Sequence, residues 1–526
     1  MTNRLAQFNY ITTQIQLPLN LDITFKVSDE VITFNNLVKN IDFNKFFERE
    51  YQSNLETRGR KKKSRANILK AILFAFSIRV RSTRDIEDLC KHDTRFMYLL
   101  DSVAPPSHTT INNTINSLRY NIDDVLVEIN KQILIKDSEV NPNVVYIDGT
   151  KLEAYANKYT FVWKKSIQKY KNNLNQKITN LIPRVNLLLF ENNYPCFIIK
   201  DVYESSELLD IIIILKNIID KDEVCLVYKQ GKRKVEIQKL FDLFEEYHKK
   251  MLDYETHLVI MGENRNSYSK TDHDATFMRM KDDHMRNGQL KAGYNMQIAI
   301  ANEYVMAVEI YQDRTDFATF IPFLKRFDYL YNFYPKKPVA DAGYGNFDNY
   351  KFCIDNNIDL YQKYTMYSKE KEKKYKNNIF NKTNFNKDED GNYICPNNKK
   401  LIFEFNKKMQ HTKEEKYEKI FRCHDCEGCT LRDKCTTSKI GRTISINEEY
   451  ESYKKIARDN LNSMEGINLR VNRSIQVEGA FGVMKENMKY RRFNRRSKEK
   501  AKLEATLVSI GMNISKFHNK KYRVVQ

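Results

Sequence analysis

The run Val144–Ile147 and the aspartate that follows it constrain the fold more than any other part of this chain. Four residues of strong β propensity lead directly into Asp148 and Gly149. We interpret this pattern as a buried strand that ends in a carboxylate, after which the chain turns away. The same pattern recurs at Pro338–Gly345, where Asp341 takes the place of the first aspartate. Two such strands predict a sheet that brings two acids together.

A third carboxylate, Glu478, lies in a helical stretch whose apolar stripe consists of Val477, Phe481, Met484 and Met488. Two strand ends and a helix lying across the sheet can bring three acids into one place. Mg²⁺ prefers such hard oxygen ligands. Two divalent ions held in this way can stabilise both the attacking and the leaving oxygen of a phosphodiester. We therefore predict that the three acids form one magnesium site.

The elements between the two aspartates predict a mixed α/β sheet. After Asp148 the sequence predicts a helical insertion over 165–260 and then a hairpin with a tight turn at Asn302–Glu303. A helix from about Asp316 to Phe327 leads to the strand that ends at Asp341. Strands and helices mixed in this order indicate an α/β fold.

Three short helices are predicted before this sheet, after a basic run at Arg58–Lys63. Ser64 is expected to cap the first helix, Ser82 and Asp85 to form a capping box for the second, and Pro105–Ser107 to begin the third. Three helices beside a basic run resemble a helix-turn-helix DNA-binding domain. A plain helical bundle is the alternative.

The charge of the chain indicates a polyanionic partner. The formal net charge is +20 over 526 residues, and nucleic acid is the first candidate, with a soluble basic enzyme as the alternative. A hydrophobic content of 41% indicates that most of the chain folds. No apolar run approaches the ~18 residues of a membrane span, and the N-terminus lacks the apolar core of a signal peptide. We therefore expect a cytoplasmic protein with no membrane partner.

Two segments are predicted to contact DNA. The first, 151–165, begins with Lys151 and alternates basic and aromatic residues, a mixture that binds phosphate and stacks on bases. Trp163, the only tryptophan, lies in this segment and is alternatively a core residue. The second segment surrounds Glu478 and carries basic residues suited to phosphate, namely Arg473, Lys485, Arg491 and Arg492.

The helix that carries Glu478 has two further features. Lys485 follows Glu478 by seven residues, so two α-helical turns would project both side chains from one face. Gly479 and Gly482 each lower helix stability by about 1 kcal/mol. Close approach of DNA or of sheet backbone to this face would account for them.

Five cysteines predict a metal site in a lysine- and asparagine-rich segment. Cys423, Cys426 and Cys429 are each separated by two residues, with Cys435 after them and Cys395 upstream. In a reducing compartment such a cluster indicates a metal rather than disulfides. Thiolates at this spacing suit a tetrahedral structural Zn²⁺, with four of the five as ligands. An iron–sulfur cluster is the alternative.

Several motifs, taken in order, resemble those of the DDE transposases of bacterial insertion sequences. They are Ile147–Lys151, Thr271–Ala275, Gly293–Asn295, Ala340–Tyr344 and Val477–Lys485. The resemblance implies an RNase H-like catalytic core with Asp148, Asp341 and Glu478 as the catalytic triad, binding Mg²⁺ or Mn²⁺. It implies that water, and then a DNA 3′-hydroxyl, attacks phosphodiesters at the element's ends and at the target. It also implies a nucleoid-associated protein that acts on double-stranded DNA as a homodimer.

The match to the family pattern is incomplete around Glu478. Glu478 and Lys485 fit the Glu-x6-Lys part of a pattern that begins Tyr-x2-Arg-x3-Glu. Val471 and Ser474 occupy its Tyr and Arg positions, and Arg473 lies one residue away. Two other acids, Asp272 and Asp274, are rivals for the site, and we assign them to structure.

The predicted fold class is α/β, with an RNase H-like mixed sheet flanked by helices, an N-terminal all-α domain of helix-turn-helix type and a Cys-rich zinc-binding insertion. The predicted domains are the helical domain 1–125, the first part of the core 140–354, the Cys-rich insertion 355–445 and the C-terminal core helices 446–526.

The predicted function is transposition. One alternative is a transposase-derived DNA-binding protein that does not cut. Another is a nuclease whose cysteine-bound metal is catalytic, assisted by His424 or Asp425.

Overall fold

The structure is a computed structural model that describes residues 24–47, 65–101, 104–228, 233–280, 289–409 and 416–522. It divides into two compact units. The first takes its described residues from the chain up to Ile115 and from Ile514 onward, and the second is Asn116–Asn513. The described part of this helical unit thus also includes Ile514 to Tyr522, and the helical domain 1–125 stays a prediction. The basic run Arg58–Lys63 and the cap Ser64 lie outside the described residues.

The first unit is helical, as predicted. Among the described residues before residue 118, its helices are Glu30–Val38, Arg65–Ser77, Thr83–His92, Thr94–Leu100 and His108–Ser117, the last of which runs two residues past the boundary. The rings of Phe34 and Phe96 pack on that of Phe74, with ring centroids 5.7 and 5.3 Å apart. All three rings are fully buried, so they form the centre of this unit.

Two of the predicted helix starts in this unit are confirmed. Ser82 accepts a hydrogen bond from the amide of Asp85, and Ser107 accepts one from the amide of Thr110. The helix predicted after Ser82 is broken at Asp93, which was not expected. Asp93 has an extended conformation, and its carboxylate accepts a hydrogen bond from the amide of Arg95 at 2.9 Å. An aspartate in this position ends one helix and caps the next.

A mixed sheet forms the centre of the second unit, which confirms the predicted α/β class. Among the described residues from 144 to 364, the strands are β1 Val144–Glu153, β2 Phe161–Trp163, β3 Ser267–Ser269, β4 Thr276–Arg279, β5 Leu290–Ala301, β6 Tyr304–Tyr311, β7 Lys337–Gly345 and β8 Tyr361–Tyr364. The sheet has the order β4-β5-β1-β7-β8, and β6 also pairs with β5. β5 is antiparallel to β1, β4 and β6, whereas β7 is parallel to β1 and β8. β2 and β3 pair separately.

The tight turn between β5 and β6 is confirmed. Asn302 and Glu303 both have positive φ, of 45° and 71°. Positive φ at both central residues is the geometry of a two-residue hairpin turn that matches the twist of its strands.

The prediction that each aspartate ends its strand is wrong. β1 continues for five residues past Asp148, and β7 continues for four residues past Asp341. Beyond Asp148, β1 keeps its antiparallel partner, because β5 is long enough to pair with it as far as Glu153. A glycine after an aspartate therefore does not turn the chain here.

Helices flank this sheet and make up the first insertion. Those in the described part of the second unit are Ile122–Lys136, Lys164–Glu191, Ser205–Lys221, Glu236–Met261, Phe320–Tyr331, Phe347–Asp355, Glu448–Asn462 and Met464–Gly482, with two short ones at Lys373–Lys376 and Arg432–Cys435. A final helix, Lys498–Tyr522, begins in this unit. The helix predicted from Asp316 begins at Phe320 instead, after a single 3₁₀ turn. Pro322 fits only the first turn of an α-helix, which explains the later start.

The second insertion contains a five-stranded sheet that the sequence did not predict. Its strands are β9 Asn386–Lys387, β10 Tyr393–Ile394, β11 Lys400–Lys408, β12 Tyr417–Arg422 and β13 Thr443–Ile446. A small core of Leu401, Phe421 and Ile444 lies against it. Only one residue of β11 is buried, so this strand lacks the alternation by which a half-buried strand is recognised. In the described parts of both units, no helix is long and apolar enough to cross a membrane.

Candidate active site

Asp148 and Asp341 lie side by side at the point where β1 and β7 separate. The two strands pair in parallel over Val144–Tyr146 and Lys337–Val339. Each aspartate follows the last paired residue of its strand by two positions. Because side chains alternate with a period of two, both aspartates occupy the same level and the same face. The register of the sheet therefore brings together two acids that are far apart in the sequence.

Arg473 connects the two acids. Its Nη2 atom lies 3.1 Å from Oδ2 of Asp148 and 3.7 Å from Oδ2 of Asp341. The side chains of Arg473 and Asp148 are each 14% exposed, whereas that of Asp341 is 42% exposed. Nε and Nη2 of Arg473 are buried without a well-directed hydrogen bond in the described structure. The guanidinium thus balances the charge of the acids without being fully satisfied by them.

A backbone amide orients each aspartate. The amide of Gly149 donates to Oδ1 of Asp148, and the amide of Gly343 donates to Oδ1 of Asp341, both at 2.9 Å. The Oδ2 atoms are the ones nearest Arg473. Each carboxylate therefore has one oxygen held by the strand and one directed toward a cation.

Glu478 lies on the helix Met464–Gly482, which packs on both β1 and β7. Its exposed carboxylate accepts a hydrogen bond from Ser474 at 2.9 Å. Glu478 is five residues beyond Arg473, which corresponds to about 7.5 Å along the helix axis. The structure thus brings Asp148 and Asp341 together and places Glu478 further along the helix that contacts them.

The expectation of two regular α-helical turns between Glu478 and Lys485 is wrong. The α-helix ends at Gly482, and Lys485 lies in a π-helical turn, Val483–Asn487. A Cβ atom built on Gly479 or Gly482 would meet nothing within 4 Å. Sheet backbone therefore does not explain these glycines, and the space beside them is open.

A buried polar network next to the acids was not predicted. Asn295 and Gln297 each donate a hydrogen bond of 2.8 Å to Oδ1 of Asp316. The Tyr344 hydroxyl donates to Oε1 of Gln297 at 2.5 Å. Burial, together with the charges of Asp316 and of the aspartate pair, raises the pKa of Tyr344. Two buried amides in a largely apolar strand are a sequence signal that would have revealed this network.

Arg491 and Arg492 lie beside the end of β1. Glu153 accepts a hydrogen bond from the amide of Phe493 at 2.9 Å, which holds this segment against the strand. Arg491 is exposed and pairs with Glu486, whereas Arg492 donates to the carbonyl oxygens of Ala154 and Ala156. Glu153 follows Asp148 by five residues, about 17 Å along a strand. A cationic segment therefore lies beside the end of the strand that carries the first acid.

The two remaining predicted DNA contacts, Lys151 and Trp163, lie on β1 and β2. Lys151 lies on β1 between Asp148 and Glu153. Trp163 is half-buried and packs against Phe161 and Phe277, with ring centroids 5.7 and 6.0 Å apart. These rings line a cavity that also contains Lys158, Tyr159 and Lys291. Trp163 is thus part of an aromatic cluster that borders an open cavity.

Lys363 on β8 is a cation that the sequence analysis missed. Burial and the positive charges of Arg473 and Arg470 lower its pKa. Arg473 and Lys363 both interact with the charge of Asp341, and two such cations would favour a nearby phosphate.

Asp272 and Asp274 have a structural role, consistent with their assignment. Asp272 accepts hydrogen bonds from the Tyr294 hydroxyl and from the amide of Ser497, and Asp274 accepts one from the amide of Lys498. They therefore cap the N-terminus of the helix Lys498–Tyr522, where negative charge is favourable. Burial raises the pKa of Asp272.

The five cysteines of the second insertion line one cavity. They are Cys395, Cys423, Cys426, Cys429 and Cys435. Three of their sulfur atoms accept hydrogen bonds of 3.3 to 3.4 Å from nitrogen donors of Asn397, Lys399 and Arg442. In the described residues, however, no three His, Cys, Asp or Glu side chains are arranged to hold a metal ion.

Two family profiles match the chain. The profile described as a transposase DDE domain matches residues 394–518, and a transposase domain named DUF772 matches residues 23–117. They confirm the resemblance to DDE transposases of insertion sequences. The first match includes Glu478 and Arg473 but neither Asp148 nor Asp341. No curated protein and no solved structure gives a significant match.

Proposed function

We propose that this protein is the transposase of an insertion sequence, which binds the element's terminal inverted repeats and cuts and joins DNA there. The convergence of Asp148 and Asp341 on Arg473 carries the proposal. It occurs in a chain whose N-terminal and C-terminal parts both match transposase profiles. We assign Glu478 as the third acid of the site.

The strand arrangement supports an RNase H-like core. An antiparallel set, β6-β5-β1, is followed by β7 and β8, which run parallel to β1. The catalytic acids of this proposal lie on the central pair, β1 and β7, and on a helix that packs on both. This arrangement meets the need for acids on rigid, converging elements.

The chemistry of the acids suits a divalent cation, because carboxylate oxygens are the ligands that Mg²⁺ and Mn²⁺ prefer. Asp148 and Asp341 converge on one point, whereas no third acid among the described residues is grouped with them. Asp148, Asp341 and Glu478 would hold it, and when bound it supplies charge stabilisation at a phosphodiester and lowers the pKa of water. The chain itself orients the acids: the amides of Gly149 and Gly343 each fix one carboxylate oxygen. Ser474 holds the carboxylate of Glu478.

Basic side chains around the acids support double-stranded DNA as the partner. Lys363 lies close to Arg473, and Lys151, Arg491 and Arg492 follow the strand that carries Asp148. We assign Lys485 to the same surface and Trp163 to a base or sugar at its border.

We assign the N-terminal helical unit to binding of the terminal repeat, and we expect a homodimer on two paired ends, acting at the bacterial nucleoid.

We also propose that the five-cysteine cavity holds a structural Zn²⁺ bound by four of the five thiolates. The convergence of the five residues and the nitrogen donors to three of their sulfur atoms support this assignment. Metal analysis of the purified protein should find about one zinc per chain. Cys426→Ser should release zinc and lower the unfolding temperature, whereas Cys196→Ser, at an exposed cysteine outside the cavity, should do neither.

The test of the proposed function uses linear DNA that carries the element's own ends. The full-length chain should cut this DNA with Mg²⁺ or Mn²⁺ and should not cut it with EDTA. Asp148→Asn, Asp341→Asn and Glu478→Gln should each lower cleavage by roughly 10²-fold or more, since a lost metal interaction costs several kcal/mol of transition-state stabilisation. Binding to the ends should stay nearly unchanged.

Glu449→Gln is the matched control for Glu478, because Glu449 is an exposed glutamate on the neighbouring helix Glu448–Asn462 whose carboxylate also accepts a hydrogen bond from a hydroxyl one turn away, that of Tyr453 at 2.6 Å. It should leave cleavage unchanged. A wild-type chain that binds ends but never cuts them would favour the transposase-derived binding protein. Loss of cleavage in a folded Cys426→Ser variant would favour the nuclease with a catalytic cysteine-bound metal.

A further inference from the structure

The side chain of Gln297 crosses the strand that carries the first acid. Gln297 on β5 is the direct partner of Gly149 on β1. A Cβ atom on Gly149 would lie only 2.1 Å from Nε2 of Gln297, a separation that atoms cannot reach. Gly149 therefore has a steric role, because its missing side chain leaves room for the amide to pass over β1.

On the far side of β1 the amide of Gln297 reaches β7. Its Oε1 atom accepts the hydrogen bond from Tyr344, which follows Asp341 by three residues. β5 and β7 are not neighbours in the sheet, because β1 lies between them. The Gln297–Tyr344 hydrogen bond therefore joins two strands across the strand that carries Asp148.

The amide of Gln297 is fixed at its other end as well. Its Nε2 atom donates to Oδ1 of Asn295 at 3.0 Å and to Oδ1 of Asp316 at 2.8 Å. Gln297, Asn295 and Tyr344 are at most 1% exposed. A buried amide with both donors and its acceptor occupied has a single orientation.

This connection lies where the backbone pairing of β7 is interrupted. The registered pairs of β7 with β1 end at Val339, and its pairs with β8 skip from Ala340 to Gly345. In the described sheet, the stretch from Asp341 to Tyr344 is thus outside both ladders. Two side chains bond to this stretch: Gln297 accepts from the Tyr344 hydroxyl, and Asn349 donates to the Tyr344 carbonyl at 2.8 Å.

We propose that Gln297, through Tyr344, is a positioning residue that sets the distance between Asp148 and Asp341. This inference rests on the proposed function, in which the two acids hold a divalent cation. Neither Gln297 nor Tyr344 needs to touch the metal or the DNA. Their contribution is to fix β7 relative to β1 at the level of the acids.

Tyr344→Phe tests the proposal, because it removes one hydroxyl and keeps the ring. The matched control is Tyr304→Phe on β6, a fully buried tyrosine whose hydroxyl donates to Asp137 at 3.0 Å. Mn²⁺ affinity of the full-length chain is measured by electron paramagnetic resonance of the free ion. Tyr344→Phe should raise the Mn²⁺ dissociation constant up to about tenfold, at the lower end of the roughly 10- to 100-fold loss seen when a direct partner of a metal ligand is removed, because Tyr344 acts through Gln297.

Three further readouts distinguish positioning from general destabilisation. Both variants should lower the unfolding temperature by similar amounts, and neither should change DNA affinity. Only Tyr344→Phe should need more Mn²⁺ for half-maximal cleavage, and excess Mn²⁺ should restore part of its rate. The proposal is wrong if Tyr344→Phe binds Mn²⁺ as the wild type does, or if Tyr304→Phe weakens binding equally.

The same measurements separate this inference from the proposed function. A wild type that binds Mn²⁺ but never cuts DNA refutes the transposase chemistry, while a weakened Tyr344→Phe still supports the positioning role. A wild type that cuts DNA, with unchanged Mn²⁺ affinity in Tyr344→Phe, refutes the positioning role alone. A wild type that binds no Mn²⁺ refutes both.

Discussion

Nη2 of Arg473 lies 3.1 Å from Oδ2 of Asp148, so a positive charge of the chain itself lies against the first acid. The same nitrogen is 3.7 Å from Asp341. Two carboxylates that approach each other repel unless a cation lies nearby. Arg473 supplies that cation, and under the proposed function it would share the two acids with a divalent ion.

Removal of this arginine should therefore strengthen metal binding. We expect Arg473→Gln to lower the Mn²⁺ dissociation constant about tenfold, because unit charges 4 Å apart interact by about 4 kcal/mol near a protein surface before screening by salt. Cleavage should fall nevertheless, because the cation next to the phosphate is lost. Arg473→Lys keeps the charge and should bind Mn²⁺ like the wild type. Weaker Mn²⁺ binding by Arg473→Gln would show that the guanidinium supports the metal instead of competing with it.

Gly149→Ala should destabilise the core. The new methyl group would overlap Nε2 of Gln297 and would also lie 2.8 Å from Oδ1 of Asp316. Overpacking of this kind costs typically 1–3 kcal/mol, and here it would also break buried hydrogen bonds. Urea unfolding of the full-length chain measures the loss. A variant as stable as the wild type would mean that the Gln297 side chain can adopt another conformation without loss of stability.

Gly479→Ala should have the opposite effect on stability. A Cβ atom at this helical position meets nothing within 4 Å, so alanine should stabilise the helix by about 1 kcal/mol. If DNA approaches this face, the same methyl group should weaken binding to the element's ends. Greater stability together with unchanged DNA affinity would show that DNA does not approach the helix there. Gly391→Ala would not serve as a control for Gly479→Ala, because Gly391 has a positive φ of 81°, at which an alanine is strained.

The helical unit should lose stability in acid partly through Glu87. Hydrogen bonds from Lys91 and from the amide and ring of His108 lower the pKa of Glu87 from 4.5 to about 2. A carboxyl whose folded-state pKa is depressed stabilises the fold above its unfolded pKa and loses this effect as the pH falls between the two values. The unfolding temperatures of wild type and Glu87→Gln should therefore differ most above pH 5 and converge as the pH falls to about 2. A difference that does not vary with pH would contradict this origin.

The sequence predicted the two aspartates because each follows a short run of β-branched or apolar residues, and such runs indicate buried strands. It predicted the wrong strand ends because glycine was interpreted by its turn propensity. The structure shows that Gly149 stays within β1, where the partner strand continues and a side chain from that strand occupies its space. Pairing of this kind depends on residues about 150 positions away, which no local pattern contains.

The position of Glu478 relative to the two aspartates could not be predicted from the sequence for a different reason. Spacing along one helix fixes relative directions only while the helix stays regular. The π-helical turn at Val483–Asn487 changes the direction of the Lys485 side chain relative to Glu478, and the local composition does not predict this turn. Arg473 emerged as a contact of the acids only when the position of its helix over β1 and β7 was known.

The short parallel pairing between β1 and β7 also limits how chains of this kind can change in length. Between Asp148 and Asp341 the polypeptide accommodates a whole helical insertion, because the register is fixed at Val144–Tyr146 and not by what intervenes. One residue added between Tyr146 and Asp148 would turn the carboxylate to the opposite face of the sheet. Related proteins should therefore vary freely in their insertions while keeping that two-residue step unaltered.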